Sequence, residues 1–194
     1  MSNVTKILIT GTSGSGKSTL AQQFQNRHGV YVIPESARDV MQGKSFTDLT
    51  AIQQAIYEKQ LQREEEAENL AKIQGNGVIL CDRGLVDIIA YNRILGIQVP
   101  ESWIELCQGR YNLTFILNKD DIPYPFSNFD RSHIILPVDL RNQIDIDIRN
   151  LVLELDLPYV DLSGSIEKRK QFLEEFFKST IPHIEGIRNK FETR

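Results

Sequence analysis

The chain has 194 residues, 41% hydrophobic and 25% charged, which is ordinary for a soluble globule and long enough for one domain with a real core. A net charge of −4 with no basic stripe argues against non-specific nucleic-acid binding. No apolar run approaches the ~18 residues of a transmembrane helix, and Met1-Ser2-Asn3 leads straight into an apolar run, so neither a membrane span nor a signal peptide is expected. Cys81 and Cys107 show no metal spacing, which suits a reducing cytoplasm.

Lys6–Thr10 (KILIT) reads as a buried strand. It runs into Gly11-Thr12-Ser13-Gly14-Ser15-Gly16-Lys17-Ser18-Thr19, which fits G-x-x-x-x-G-K-[ST]. The glycines let the backbone turn its N–H groups inward as an anion nest. Lys17 can reach β- and γ-phosphates, and the Ser18 hydroxyl can ligate Mg²⁺. Leu20, Ala21 and Phe24 then recur at helical spacing, so a helix N-terminus faces the same phosphates. A flexible Gly/Ser turn does not explain the strand before the motif or the helix after it.

The second strand, Val30–Ile33, is stopped by Pro34. Glu35 follows, placed either to face an acceptor hydroxyl or merely to favour a helix N-terminus. Ser36 could cap a short helix carrying Arg38 and Val40. A long helix is expected over 50–74, with Thr50 and Gln53 at capping-box spacing. Leu49, Ile52, Ile56, Ala67 and Leu70 mark one face, and Gln60 and Arg63 fall on it. Those two either line a cavity or find partners inside the protein. Arg63-Glu64-Glu65-Glu66 reads as a solvated turn.

The third strand, Gly77–Cys81, precedes Asp82-Arg83-Gly84. Four apolar residues before Asp82 match the Walker-B pattern, in which the Asp holds Mg²⁺ opposite Ser18. Arg83 is placed to meet phosphate or to pair with Glu35. Asp87 is explained most simply as a helix cap. Helices are expected over 85–108. The fourth strand, Leu113–Leu117, opens a Pro-, Asn- and Asp-rich stretch expected as a lid over about 119–137. Its Arg131 could stabilise a transferring phosphoryl group, with Arg141 and Arg149 as weaker candidates. The fifth strand, Pro158–Asp161, leads to Ser163-Gly164-Ser165, either a base-contacting turn or a helix cap. Strands alternating with helices predict an α/β three-layer P-loop sandwich around a five-stranded parallel sheet. The expected domain is 1–180, with 181–194 as a C-terminal extension that docks on the body or makes a homodimer.

Taken together, "GTSGSGKST", "VIPESAR", "EKQLQREEE" and "CDRGLVDIIAY" resemble the small AAA-type ATPase/kinase family, over about residues 4–165. Its best-understood relative is the ribosylnicotinamide kinase domain of the bacterial NAD-biosynthesis regulator. Glu35 and the Asp82-Arg83 pair are more distantly similar to elements of deoxynucleoside kinases. That resemblance implies a Glu35 acting on the acceptor's hydroxyl. The lid departs from the family, whose lid Arg often follows a Trp and an acidic residue. Only Asp130-Arg131 survives here, with Tyr124, Phe126 or Phe129 in the aromatic roles.

A competing signal is Asn118-Lys119-Asp120-Asp121, which fits the N-K-x-D with which GTPases read guanine. Against it, Asp82-Arg83-Gly84-Leu85 breaks the Asp-x-x-Gly that senses a γ-phosphate, and a further strand is missing before the motif. The expectation is therefore an ATP- and Mg²⁺-dependent kinase, with GTP as an alternative donor, acting on a nucleoside-like metabolite. The assigned residues are Lys17, Glu35, Asp82, Arg83 and Arg131 for chemistry, and Glu35, Arg38, Gln60 and Arg83 for the acceptor. The rival is a regulatory NTPase working through a protein partner.

Overall fold

A computed structural model describes residues 3–42, 48–74, 76–123 and 137–180. The strands are β1 (Asn3–Thr10), β2 (Val30–Ile33), β3 (Asn76–Asp82), β4 (Leu113–Leu117) and β5 (Tyr159–Leu162). They form one parallel sheet in the order β2-β3-β1-β4-β5. The helices are α1 (Lys17–Gln22), α2 (Ser36–Met41), α3 (Leu49–Ile73), α4 (Leu85–Ile94), α5 (Glu101–Cys107), α6 (Val138–Glu154) and α7 (Ile166–Thr180). Among the described residues, none of these helices is long and apolar enough to cross a membrane.

Side chains alternate across a strand, so β1 feeds two cores. Ile7 and Ile9 pack with Leu20 and Phe24 of the α1 region and Leu173 and Phe177 of α7. Leu8 joins Ile52 and Ile56 of α3, Ile89 of α4 and Ile148 of α6 on the other face. The sheet is thus covered on both sides, which is why its central strands read as largely apolar runs. With all strands parallel, their C-terminal ends meet along one edge, and β1, β2 and β3 deliver Gly11, Glu35 and Asp82 there.

Local expectations needed four corrections. Thr50 does not cap α3; Asp48 does, accepting from the N–H groups of Thr50 and Ala51. Leu49 and Leu70 lie at the solvent edge of α3, whose buried stripe is Ile52, Ile56, Gln60, Glu64, Ala67 and Ala71. Glu64 is fully buried rather than solvated, because Lys6, Arg110 and Tyr111 converge on it. Ser36 begins α2, but its hydroxyl goes to Gln60 Oε1 at 2.8 Å instead of capping the helix.

Gly84 marks the tightest approach near the strand ends. Its backbone is extended, so the constraint is space: a Cβ there would lie 2.8 Å from Tyr111 Cζ and 2.9 Å from Leu8 Cδ1. Gly84→Ala should therefore cost about 1–3 kcal/mol through overpacking, read as a lower midpoint in urea unfolding at unchanged slope. A wild-type midpoint would show that Tyr111 yields freely.

Candidate active site

The loop between β1 and α1 carries left-handed Gly14 and Gly16, at φ 75° and 89°. A side chain at Gly16 would also meet Ile122 Cδ1 at 2.6 Å and Ile166 Cδ1 at 2.7 Å, so conformation and packing both demand glycine. Thr12, Ser15 and Lys17 are buried, Ser13 and Gly14 are half-buried, and Thr19 is exposed. Lys17 Nζ donates to Thr12 O at 2.7 Å and to Ser15 Oγ at 3.3 Å. Burial, followed by the charge of Arg83, lowers the Lys17 ammonium to a pKa of about 7.

Asp82 ends β3, where burial raises its carboxyl above the ordinary value against the lowering influence of Lys17 and the Ser18 hydroxyl. Its Oδ1 is buried with no hydrogen-bond partner in the protein. A buried orphan carboxylate oxygen beside a hydroxyl is an oxygen donor set that suits a hard cation such as Mg²⁺. Among the described residues no three His, Cys, Asp or Glu side chains could hold a metal by themselves, so such an ion needs phosphate oxygens as well.

Arg83 is the centre of the charged cluster. It takes a left-handed φ of 70°, unusual for a residue with a side chain. Its Nε lies 2.8 Å from Glu35 Oε1 as an ion pair without hydrogen-bond geometry, while its NH1 donates to Asp87 Oδ1 at 2.9 Å and to Gly11 O at 3.3 Å. The guanidinium sits 5.3 Å from the centre of the Tyr91 ring. Burial pushes the Glu35 carboxyl up, but Arg83, Lys17 and Arg38 outweigh it and hold the group below its ordinary value. Asp87 shows the reverse balance: burial raises it despite Arg83 and Lys17. Asp87 does cap, accepting from Gly84 N–H at 3.0 Å, but it also holds Arg83. Asp87 and Tyr91 were therefore missed as site residues. Their signal was the i, i+4 spacing that puts Arg83, Asp87 and Tyr91 on one side of the start of α4.

Beside this cluster lies a cavity of about 170 Å³ between α2, α3, α4 and the phosphate loop. Ser13, Glu35, Arg38, Gln53, Asp87 and Tyr91 line it, and Gln60 and Arg83 border it too. Arg38 lies 3.7 Å from Glu35. Gln60 reaches the cavity wall, yet its amide is spent on protein partners. Arg63, its predicted companion, instead pairs with Asp39.

Arg131 and the lid aromatics fall outside the described residues. Arg141 touches the loop from behind, donating from Nε to Ser13 O at 2.7 Å. Arg149 is turned to Asp145 and Asp161. Asp121, the last residue of N-K-x-D, accepts from Gly164 N–H at 2.7 Å and from Arg169 NH2 at 3.2 Å. Only α4 and α5 lie between β3 and β4, so the additional strand a GTPase requires is absent there.

A profile describing an AAA domain matches residues 6–169. The chain belongs to this AAA domain family. No curated protein sequence matches it. Among solved structures, thymidylate kinase from Ehrlichia chaffeensis is similar at a TM-score of 0.66 and 14% identity, over 90% of this chain and 99% of that one. Deoxyadenosine kinase from M. mycoides is similar at 0.64 and 12% identity, with the same coverage. At these identities the likeness is one of fold, and this AAA domain has the P-loop kinase-like fold that both kinases share.

Proposed function

We propose that this chain is a kinase, transferring the γ-phosphoryl group of ATP to a hydroxyl of a nucleoside-like or other small metabolite. The supporting observation is one cavity lined by both Ser13 of the phosphate loop and Glu35, whose carboxylate is held by Arg83. A switch NTPase needs no acceptor cavity beside its phosphate loop.

In this reading the loop N–H groups and Lys17 bind the phosphates, and Ser18 and Asp82 hold Mg²⁺. The ion, when bound, neutralises charge on the phosphate oxygens. Glu35 receives the acceptor's hydrogen bond and finally its proton. A carboxylate held below its usual range is a weak base, so Glu35 chiefly orients the hydroxyl, which suits a loose transition state in which the proton leaves late. Arg83, with Arg131 from the lid, balances charge at the transferring group, and Arg38 and Gln60 border the acceptor. ATP is favoured over GTP because Asp121 is committed to Gly164 and Arg169. The kinase unit is 1–180 and is cytoplasmic. The ribosylnicotinamide kinase resemblance supports a nucleoside as acceptor.

The test is ADP release from Mg-ATP against a panel of nucleosides and hydroxylated metabolites, with products weighed by mass spectrometry. One compound should raise turnover to about 1–100 s⁻¹ and acquire a phosphoryl group. A slow rate that no compound stimulates sinks the kinase and favours a regulatory NTPase.

A further inference from the structure

Glu64 of α3 is fully buried beneath the site, and four donors converge on its carboxylate. Oε1 accepts from Gln60 Nε2 at 2.8 Å and from the Tyr111 hydroxyl at 3.0 Å. Oε2 accepts from Lys6 Nζ at 2.9 Å and from Arg110 Nε at 2.7 Å. A carboxylate so committed accepts only, and so dictates how each neighbour is turned.

For Gln60 the consequence is specific. Its NH₂ faces Glu64, so its carbonyl oxygen faces Ser36, whose hydroxyl donates to it at 2.8 Å. The same NH₂ also donates to the carbonyl of Arg83 at 3.3 Å. Ser36 follows Glu35 directly. One amide thus ties together the two loops that carry the Glu35–Arg83 pair. Tyr111 adds a second tie, its oxygen accepting the Leu85 N–H at 2.9 Å, two residues past Arg83. A left-handed residue with a side chain persists only where its surroundings over-determine it. Apolar side chains would fill this space at lower desolvation cost, so stability alone is a poor reason for so many buried charges.

We infer that Glu64, Gln60 and Tyr111 form a positioning relay that holds Arg83 in its left-handed conformation and paired in charge with Glu35. Gln60 therefore shapes the cavity wall without reading the acceptor. The effect on transfer rests on the kinase reading; the effect on Arg83 does not.

The experiment uses the full chain, ¹⁵N-labelled and without nucleotide, and follows solvent exchange of the Arg83 Nε–H and the Leu85 amide. The variants are Gln60→Leu, Tyr111→Phe, Ser36→Ala and the conservative Ser36→Thr. Glu64→Gln is avoided because it strands Lys6 and Arg110, and the chain could fail to fold. In Gln60→Leu and Ser36→Ala, Arg83 Nε–H exchange should quicken by roughly tenfold or more. Ser36→Thr should restore it, and Tyr111→Phe should quicken Leu85 exchange. Affinity for Mg-ADP, measured by calorimetry, should stay within about threefold, because these residues do not touch the phosphate loop. Unchanged Arg83 exchange in folded Gln60→Leu and Ser36→Ala overturns the relay, whether or not the panel finds an acceptor. With an acceptor in hand, breaking the relay should lower kcat at constant KM; a raised KM at constant kcat overturns it and makes Gln60 a substrate contact.

Discussion

Lys17→Ala should cut turnover of Mg-ATP by about a hundred- to a thousandfold, the usual effect of removing one preorganised charge from a phosphoryl-transfer site. The ammonium is already inside the site, held by Thr12 O and Ser15 Oγ, so wild type pays little reorganisation when phosphate arrives. Near-normal ADP release by the variant would falsify the phosphate-loop assignment. The same residue should couple binding to pH. Without nucleotide, burial brings the Lys17 pKa down to about 7, and phosphate charge beside it must raise that value again. Protons are then taken up on binding wherever the free form has lost them. Nucleotide affinity should be flat below about pH 7 and fall by up to roughly tenfold per unit above it, until the bound form itself deprotonates. Calorimetry in buffers of differing ionisation enthalpy near pH 8 reads this directly. Zero proton uptake there would mean that Lys17 stays charged in the free protein.

Glu35→Gln should slow transfer to the acceptor by about 10²–10⁴-fold, the range for losing a positioned acid–base group. ATP affinity should hardly change. The substitution keeps the side chain's shape, and Arg83 keeps Asp87 as a counter-charge, so no cation is left stranded. Equal losses in transfer and nucleotide binding would make Glu35 structural. Because Arg83, Lys17 and Arg38 outweigh burial and hold this carboxyl low, it stays ionised as pH falls to 4.5, its ordinary value. In kcat/KM for ATP, which reports the free enzyme, activity requiring the carboxylate should therefore disappear only on the acid side of that value.

The layout of the sheet was legible because most strands are short apolar runs broken by Gly, Pro or a polar residue. Its ends move by only a few residues between expectation and structure, as with Lys6–Thr10 inside β1. The phosphate loop was legible because its chemistry is contiguous. Asp82, Arg83 and Glu35 could be placed because parallel strands bring their C-terminal ends to one edge. Glu64 could not. In sequence it sits in a run of like charges, and helical arithmetic says nothing of Lys6 or Tyr111, which lie 58 and 47 residues away. Asp87 was undervalued for a related reason. Capping explained it fully at short range, while the guanidinium it also holds depends on a left-handed turn that propensity does not forecast. Asp121 shows the converse, a motif correct in letters whose carboxylate is used by Arg169, 48 residues further along the chain.

Arg169 has a consequence for how the molecule is made. It is fully buried in α7 and donates to the carbonyls of Ser15 at 2.6 Å and Asn118 at 2.9 Å. The first of these spans 154 residues. On a ribosome adding about 5–20 residues per second, the nucleotide cradle emerges before its brace and waits roughly eight to thirty seconds for it. A nascent chain is therefore a poor scavenger of nucleotide until α7 arrives. Competence to bind is set by a segment translated well after the one that encodes the cradle.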